Sequence, residues 1–167
     1  MKKYTELLPK LDYNGVLITD ITRRFVMNDG VKLFKDRYYK TQIKQHQTPE
    51  VVSGVLYGTP DYWWVICAIN DVYDPFYDWV MLDNEVYAYT EKKYDDINGV
   101  HHYQDDNYNV YESNNPESTL EPITNIEYEM YVNDTKLRIN TIKPKNIKRV
   151  AKEMRDRLKL LPNQQQG

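Results

Sequence analysis

The chain has 167 residues, enough for one domain of ordinary size with appendages. Hydrophobic residues make up 41%, but 16 of them are tyrosine and the mean hydropathy is −0.78, so a modest core is expected, with much aromatic area left for other chains or for small satellite cores. The formal net charge of −3 argues against nucleic-acid or membrane binding by the whole chain, and the single Cys67 excludes an internal disulfide framework, which fits a reducing compartment.

Lys2 and Lys3 are not followed by an apolar run, and no stretch approaches the roughly 18 apolar residues of a membrane span, so a soluble, non-secreted protein is expected. Residues 1–36 read as an arm, punctuated by Pro9, Asn14-Gly15 and Asn28-Asp29-Gly30, with strand-like pieces "VLITDI" and "RRFVM" between them. Such an arm is either an edge strand, an extended segment lying on a partner, or a partly ordered terminus. "RYYKTQIKQ", residues 37–45, alternates Tyr39, Thr41 and Ile43 with polar neighbours and reads as a strand.

Two helix starts follow. Thr48-Pro49-Glu50 and Thr59-Pro60-Asp61 each offer a hydroxyl cap, a proline at the first helical position and an acid at the second. The first helix presents Val51, Val52, Val55 and Leu56 and stops near Gly58; the second presents Tyr62, Trp63, Ile66 and Ile69 and stops around Asn70. "DVYDPFYDW" is irregular, because a residue before proline avoids the helical region. Residues 83–94 read as a third helix, and Asn98-Gly99 between Ile97 and Val100 reads as a hairpin turn.

Residues 104–122, rich in Asn, Asp, Ser, Glu and Pro, read as an exposed loop. "ITNIEYEMYVNDTKLRINTIKP" reads as two strands turning at Asn133-Asp134. The last helix, about 145–160, carries an apolar stripe of Ile147, Val150, Ala151, Met154, Leu158 and Leu161. Its other face is basic, with Lys145, Lys148, Arg149, Lys152, Arg155, Arg157 and Lys159 against Glu153 and Asp156. That face is either simply solvated or docks on an acidic partner. "PNQQQG" is expected to be disordered.

The chemistry-bearing residues do not converge. Adjacent His101 and His102 on a strand point to opposite faces and cannot chelate together, His46 and Cys67 stand alone, and no zinc or calcium-loop spacing exists, so no metal and no cofactor is expected. Cys67, between Ile66 and Ala68 in mid-helix, reads as a buried, inert thiol. No nucleophile elbow, phosphate loop or dinucleotide glycine pattern occurs. Asp71, Asp74 and Asp78 are formal candidates for a glycosidase pair, but 25 acids in the chain make that coincidence. Trp63 and Trp64 point about 100° apart around a helix, so one can enter the core while the other faces out. An outward tryptophan serves sugar stacking or a protein contact.

Three stretches resemble a known family, the baseplate wedge protein of contractile-tailed phages that carries a LysM-like domain. They are "TPEVVSGVLYGTPDYWWVICAINDVYDPFYDW", "GVHHYQD" and "EYEMYVNDTKLRINTIKPKNIKRVAKEM"; "LPKLDYNGVLITDITRRF" is also similar. The resemblance implies a non-enzymatic virion component, an α+β protein with a small LysM-like β-α-α core. It would join wedges to one another and to the inner baseplate, beside sheath-initiator-like and hub proteins, in a hetero-oligomeric assembly formed in the host cytoplasm. It departs from peptidoglycan-binding LysM modules, because Gln45, His46, Gln47 and Thr48 stand where a Gly-Asp-Thr turn is usual, and "DVYDPFYDWVM" replaces or displaces the closing strand.

The expected division is an arm at 1–36, the LysM-like core at 37–94, a hairpin and exposed loop at 95–122, a β-hairpin plus C-terminal helix at 123–161, and a tail at 162–167. Pro49, Tyr57, Gly58, Pro60, Trp63, Trp64 and Ile66 are the expected core scaffold. Arg23, Arg24, Asp74, Pro75, Phe76, Trp79, Lys148, Arg149, Lys152 and Arg155 are the expected partner-binding residues. The alternatives to a structural protein are a glycan-binding LysM-type module and, last, a tail-associated muramidase.

Overall fold

The structure, a computed structural model, describes residues 6, 8–20, 38–111 and 119–160, the side chains of 158–160 excepted. It is an α+β fold. In chain order come β1 (Lys10–Tyr13), β2 (Val16–Thr19), β3 (Tyr38–Gln42), α1 (Pro49–Tyr57), a single 3-10 turn (Pro60–Tyr62), α2 (Trp63–Ile69) and α3 (Asp83–Lys93). Then follow β4 (Val100–Gln104), β5 (Val110–Tyr111), β6 (Glu121–Thr124), α4 (Asn125–Thr135), β7 (Arg138–Ile142) and α5 (Pro144–Leu160). The chain divides into two compact units, one of Met1–Ile43, Gln47–Asp78 and Ile139–Gly167, the other of Lys44–His46 and Trp79–Arg138. The second unit is therefore an insertion, in sequence, between α2 and β7.

In the first unit the expected succession of strand, helix, helix is present, but β3 takes β7 as its sheet partner. The Thr41 and Thr141 hydroxyls meet at 2.6 Å across that sheet. Thr48 caps α1, its hydroxyl accepting from the Val51 amide, and Gly58 ends the helix in the left-handed region at φ 72°. The 3-10 turn starts as expected at Thr59, and α2 continues from it. The core gathers Leu8, Trp64, Val65, Ala68 and Ile69 with Ile142, Ile147, Val150, Ala151 and Met154 of the C-terminal segment, with Tyr57, Tyr62 and Trp63 packed against it.

One expectation about a face is corrected here. Of the apolar residues of α1, Val52 is buried while Val51 and Val55 are exposed. The interior position beside Val52 belongs to Ser53, whose hydroxyl donates to the Thr59 carbonyl and accepts from the Tyr62 amide, tying α1 to the 3-10 turn. Of the two tryptophans, Trp64 enters the core at 4% exposure and Trp63 lies half-buried on it. All six residues from Trp64 to Ile69 are buried, so the interior takes in more of α2 than the expected face of Tyr62, Trp63, Ile66 and Ile69, all four of which are buried or partly buried.

The second unit departs further from expectation. "EYEMYVNDT" is not a strand but the helix α4, capped by a box in which Thr124 accepts from the Glu127 amide and Glu127 accepts from the Thr124 amide. Asn98-Gly99 forms a turn, closed by the Gly99 amide on the Asp96 carbonyl, but it leads from α3 into β4 and joins no two strands. Within 104–122, read as loop, lie β5 and the start of β6, which flank β4 in a three-stranded sheet. The α3 helix is present as expected and packs with α4.

Candidate partner-binding surfaces

Among the described residues no group of three His, Cys, Asp or Glu could hold a metal, and no helix is long and apolar enough to cross a membrane. Cys67 is buried, and burial, with the Glu50 charge second, pushes its thiol up to about 12, so it carries no thiolate near neutral pH. Tyr57 is likewise pushed up to about 12 by burial, and its hydroxyl bridges the Ile142 amide and carbonyl.

His101 and His102 do not point apart. A register shift between Val100 and His102 in the β4–β6 pairing inserts His101 as a bulge, and the two Nδ1 atoms come within 2.9 Å. His101 also stacks on Tyr128 at 3.8 Å between ring centres. Burial, and next the neighbouring His102, hold His101 below its ordinary pKa. Beside this stack Glu129, 5% exposed, accepts from both the Lys93 ammonium at 2.7 Å and the Tyr94 hydroxyl at 2.8 Å. Its bond to Lys93 raises the lysine pKa. The arrangement is a tied polar cluster rather than a ligand site.

What the described residues do present is exposed apolar and basic surface in distinct patches. In the β1–β2 hairpin, Asn14 and Gly15 occupy the left-handed region at φ 53° and 82°, and the Gly15 amide donates to the Asp12 carboxylate. The register pairs Leu11 with Ile18 and Tyr13 with Val16, so these four share one face. Tyr13, Val16 and Ile18 on it are exposed. A two-stranded hairpin is marginal in water by itself, and an uncovered apolar face is a contact surface.

The connector after α2 is a folded loop. Asp78 accepts from the Tyr73 and Asp74 amides at 2.7 and 2.8 Å, and Asp74 accepts from the Phe76 amide at 2.9 Å. These bonds hold Pro75 and Phe76 outward, and Phe76 is 80% exposed. Trp79, expected beside it for a partner, is buried at 6% exposure and is the residue at which the second unit's main stretch begins. Proline and irregular spacing reveal the loop in the sequence, but which aromatic leaves it depends on side-chain bonds to the backbone.

On α5 the expected stripe is buried at Ile147, Val150, Ala151 and Met154, while Lys145, Lys148, Arg149 and Lys152 are exposed and Arg155 is half-buried. Lys152 pairs with Asp156, and Arg157 with Glu153, both in i,i+4 spacing. Leu161, Arg23, Arg24 and the "RRFVM" piece lie outside the described residues.

An insertion-bearing α+β chain that offers contact patches and no convergent chemistry fits a component of a larger assembly, and comparison with known proteins gives the class. The model of the family described as "Base plate wedge protein 53" matches residues 5–122, and the chain belongs to this family of phage baseplate wedge proteins. Baseplate wedge protein gp53 of Enterobacteria phage T4 is similar, 32% identical over 82 residues that make up 49% of this chain and 42% of that protein. The match thus spans less than half the length of the T4 protein.

Proposed function

We propose that the chain is a structural wedge component of the tail baseplate of a contractile-tailed phage, joining wedges to one another and to the inner baseplate. It works by shape and contact rather than by catalysis, and assembles in the host cytoplasm before it becomes part of the virion. Its partners are other wedge proteins and sheath-initiator-like and hub proteins. Membership of the wedge family, through residues 5–122, carries this reading. The hairpin face of Leu11, Tyr13, Val16 and Ile18, the Phe76 loop and the basic face of α5 support it as surfaces suited to several neighbours.

The succession β3, α1, α2 with β7 paired to β3 supports a LysM-like core whose closing strand is displaced behind an insertion. The same succession favours a second reading, a glycan-binding module. Against it stands the turn before α1, where Gln45 donates to Asp83 at 2.7 Å instead of lining a sugar groove. Retention on peptidoglycan that an exposed-aromatic substitution abolishes would establish that module; no binding of chitooligosaccharides at millimolar concentration would remove it.

The wedge reading is tested by cross-linking mass spectrometry on purified virions, with the lysines of α5 as probes. Cross-links to other tail-base proteins are the expected result, and absence of the chain from the particle would sink the assignment. Arg23→Glu with Arg24→Glu is expected to weaken tail assembly in complementation while leaving thermal unfolding unchanged. Arg149→Glu with Lys152→Glu is expected to do the same, with an effect that added salt reproduces in the wild type.

A further inference from the structure

The tip of the connector loop is built for a particular kind of partner. Phe76 has no hydrogen-bonding atom on its side chain, and at 80% exposure it places a whole ring in water. A ring so placed is costly in solvent and is not needed by the core, which Trp64, Val65, Ala68 and Ile69 supply from the preceding helix.

The loop that carries it is fixed before any partner arrives. The Tyr77 and Asp78 amides both donate to the Asp74 carbonyl, at 3.2 and 2.7 Å, making one helical turn around Phe76. Asp78 closes the entrance of that turn on two amides, and Asp74 caps it on the Phe76 amide. At the loop's start Asp71 sits in the left-handed region at φ 55°, its carboxylate accepting from the Tyr73 hydroxyl at 3.1 Å. Proline at 75 removes a further degree of freedom. Ordering entropy is thus lost on folding and not on contact, the condition under which one aromatic side chain contributes strongly to affinity.

The charge around the ring selects the partner. Asp74 and Asp78 are exposed, and residues 71–78 contain no Lys or Arg. Sugar recognition would need free polar groups aimed past the ring, whereas both Asp74 and Asp78 point carboxylate oxygens back at loop amides. Resting on the wedge reading above, we infer that Phe76 is an anchor that inserts into an apolar pocket on a neighbouring protein, a pocket rimmed by lysine or arginine that answers Asp74 and Asp78.

The test places the photo-reactive amino acid p-benzoylphenylalanine at position 76 of the full chain, supplied in infected cells, and locates its cross-links by mass spectrometry. The expected site is a cluster of apolar residues with Lys or Arg beside it on another protein. Phe76→Ala should lower incorporation into particles about tenfold or more with unchanged thermal unfolding, as hot-spot truncations do. Cross-links to a site without a cationic rim, cross-links only to glycan or to none, or normal incorporation of Phe76→Ala, would overturn the inference while the chain stayed in the particle. A chain absent from the particle but cross-linked in cells through such a pocket would instead sink the wedge reading and leave the anchor standing.

Discussion

Two asparagines do the work of a missing strand. Asn70 donates to the Asn140 carbonyl at 2.9 Å and accepts from the Asn140 amide at 2.7 Å, with a further bond to the Ile66 carbonyl. Asn133, fully buried in the second unit, does the same to Met81, at 3.0 and 2.8 Å. Each side-chain amide satisfies both backbone groups of one residue, so its removal strands two polar atoms at once. Asn133→Ala is expected to destabilise the second unit by about 2–4 kcal/mol, measured by denaturant unfolding, because it takes two bonds from the buried Met81 amide and carbonyl. In the sequence both asparagines precede aspartate and read as a helix stop and a turn; nothing in composition tells a turn asparagine from one that bonds backbone 52 or 70 residues away.

Titration belongs to the residue scale as well. The groups facing His101 are His102, Tyr128, Tyr94, Glu129 and Lys93. Because its folded pKa lies below the ordinary 6.5, the folded state binds fewer protons than the unfolded one. The stability held above pH 6.5 is therefore lost as pH falls below that value. Melting followed between pH 7 and 5 should show a fall that His101→Gln flattens. An unchanged slope in the variant would show that other groups govern the acid limb.

At the scale of elements, α4 explains why part of the fold escaped the sequence. Its buried positions are Asn125, Glu129 and Asn133, four residues apart, so the inner stripe is polar. Asn125 donates to the Asp96 carbonyl, Glu129 holds Lys93 and Tyr94, and Asn133 holds Met81, a row of clips along the segment 81–96. Hydrophobic periodicity looks for the opposite pattern, and the alternation of Ile126, Tyr128, Met130 and Val132 with polar residues imitates a strand. The capping signature Thr124-x-x-Glu127 was the available signal, and it marks the helix start the structure shows. Thr124→Ala should cost about 1 kcal/mol and loosen the first turn of α4, read as faster amide exchange there. By contrast α1 and α5 were legible, because a cap, a proline and an apolar stripe are local signals of the chain. Gly58 shows the same locality: a methyl group added there meets no atom within 4 Å, so Gly58→Ala should cost about 1 kcal/mol through its positive φ alone.

At the scale of the molecule, the exposure of the proposed contact residues was legible in part. Lys148, Arg149 and Lys152 lie on the exposed face of α5 that helical spacing gives, and Phe76 stands out on its loop. Trp79, from the same short motif, went inside, since a neighbouring turn decides which aromatic faces water. The hairpin patch of Leu11, Tyr13, Val16 and Ile18 needed the register, which the Asn14-Gly15 turn sets and composition does not.

The pairing of β3 with β7 also dictates an order of events during synthesis. The first unit draws its core from both sides of a long insertion, and Ile142, Ile147, Val150 and Met154 are translated after it. On the ribosome the inserted unit, Trp79–Arg138, has all but its three-residue Lys44–His46 piece in one stretch and can close early, while the strand and helices that precede it wait for their partners. A nascent chain halted before Ile139 would leave Trp64, Val65 and Ile69 uncovered, and would be a target for chaperones and proteases. Only a chain translated through α5 can therefore close the first unit's core and present the Phe76 loop and the basic helix face together.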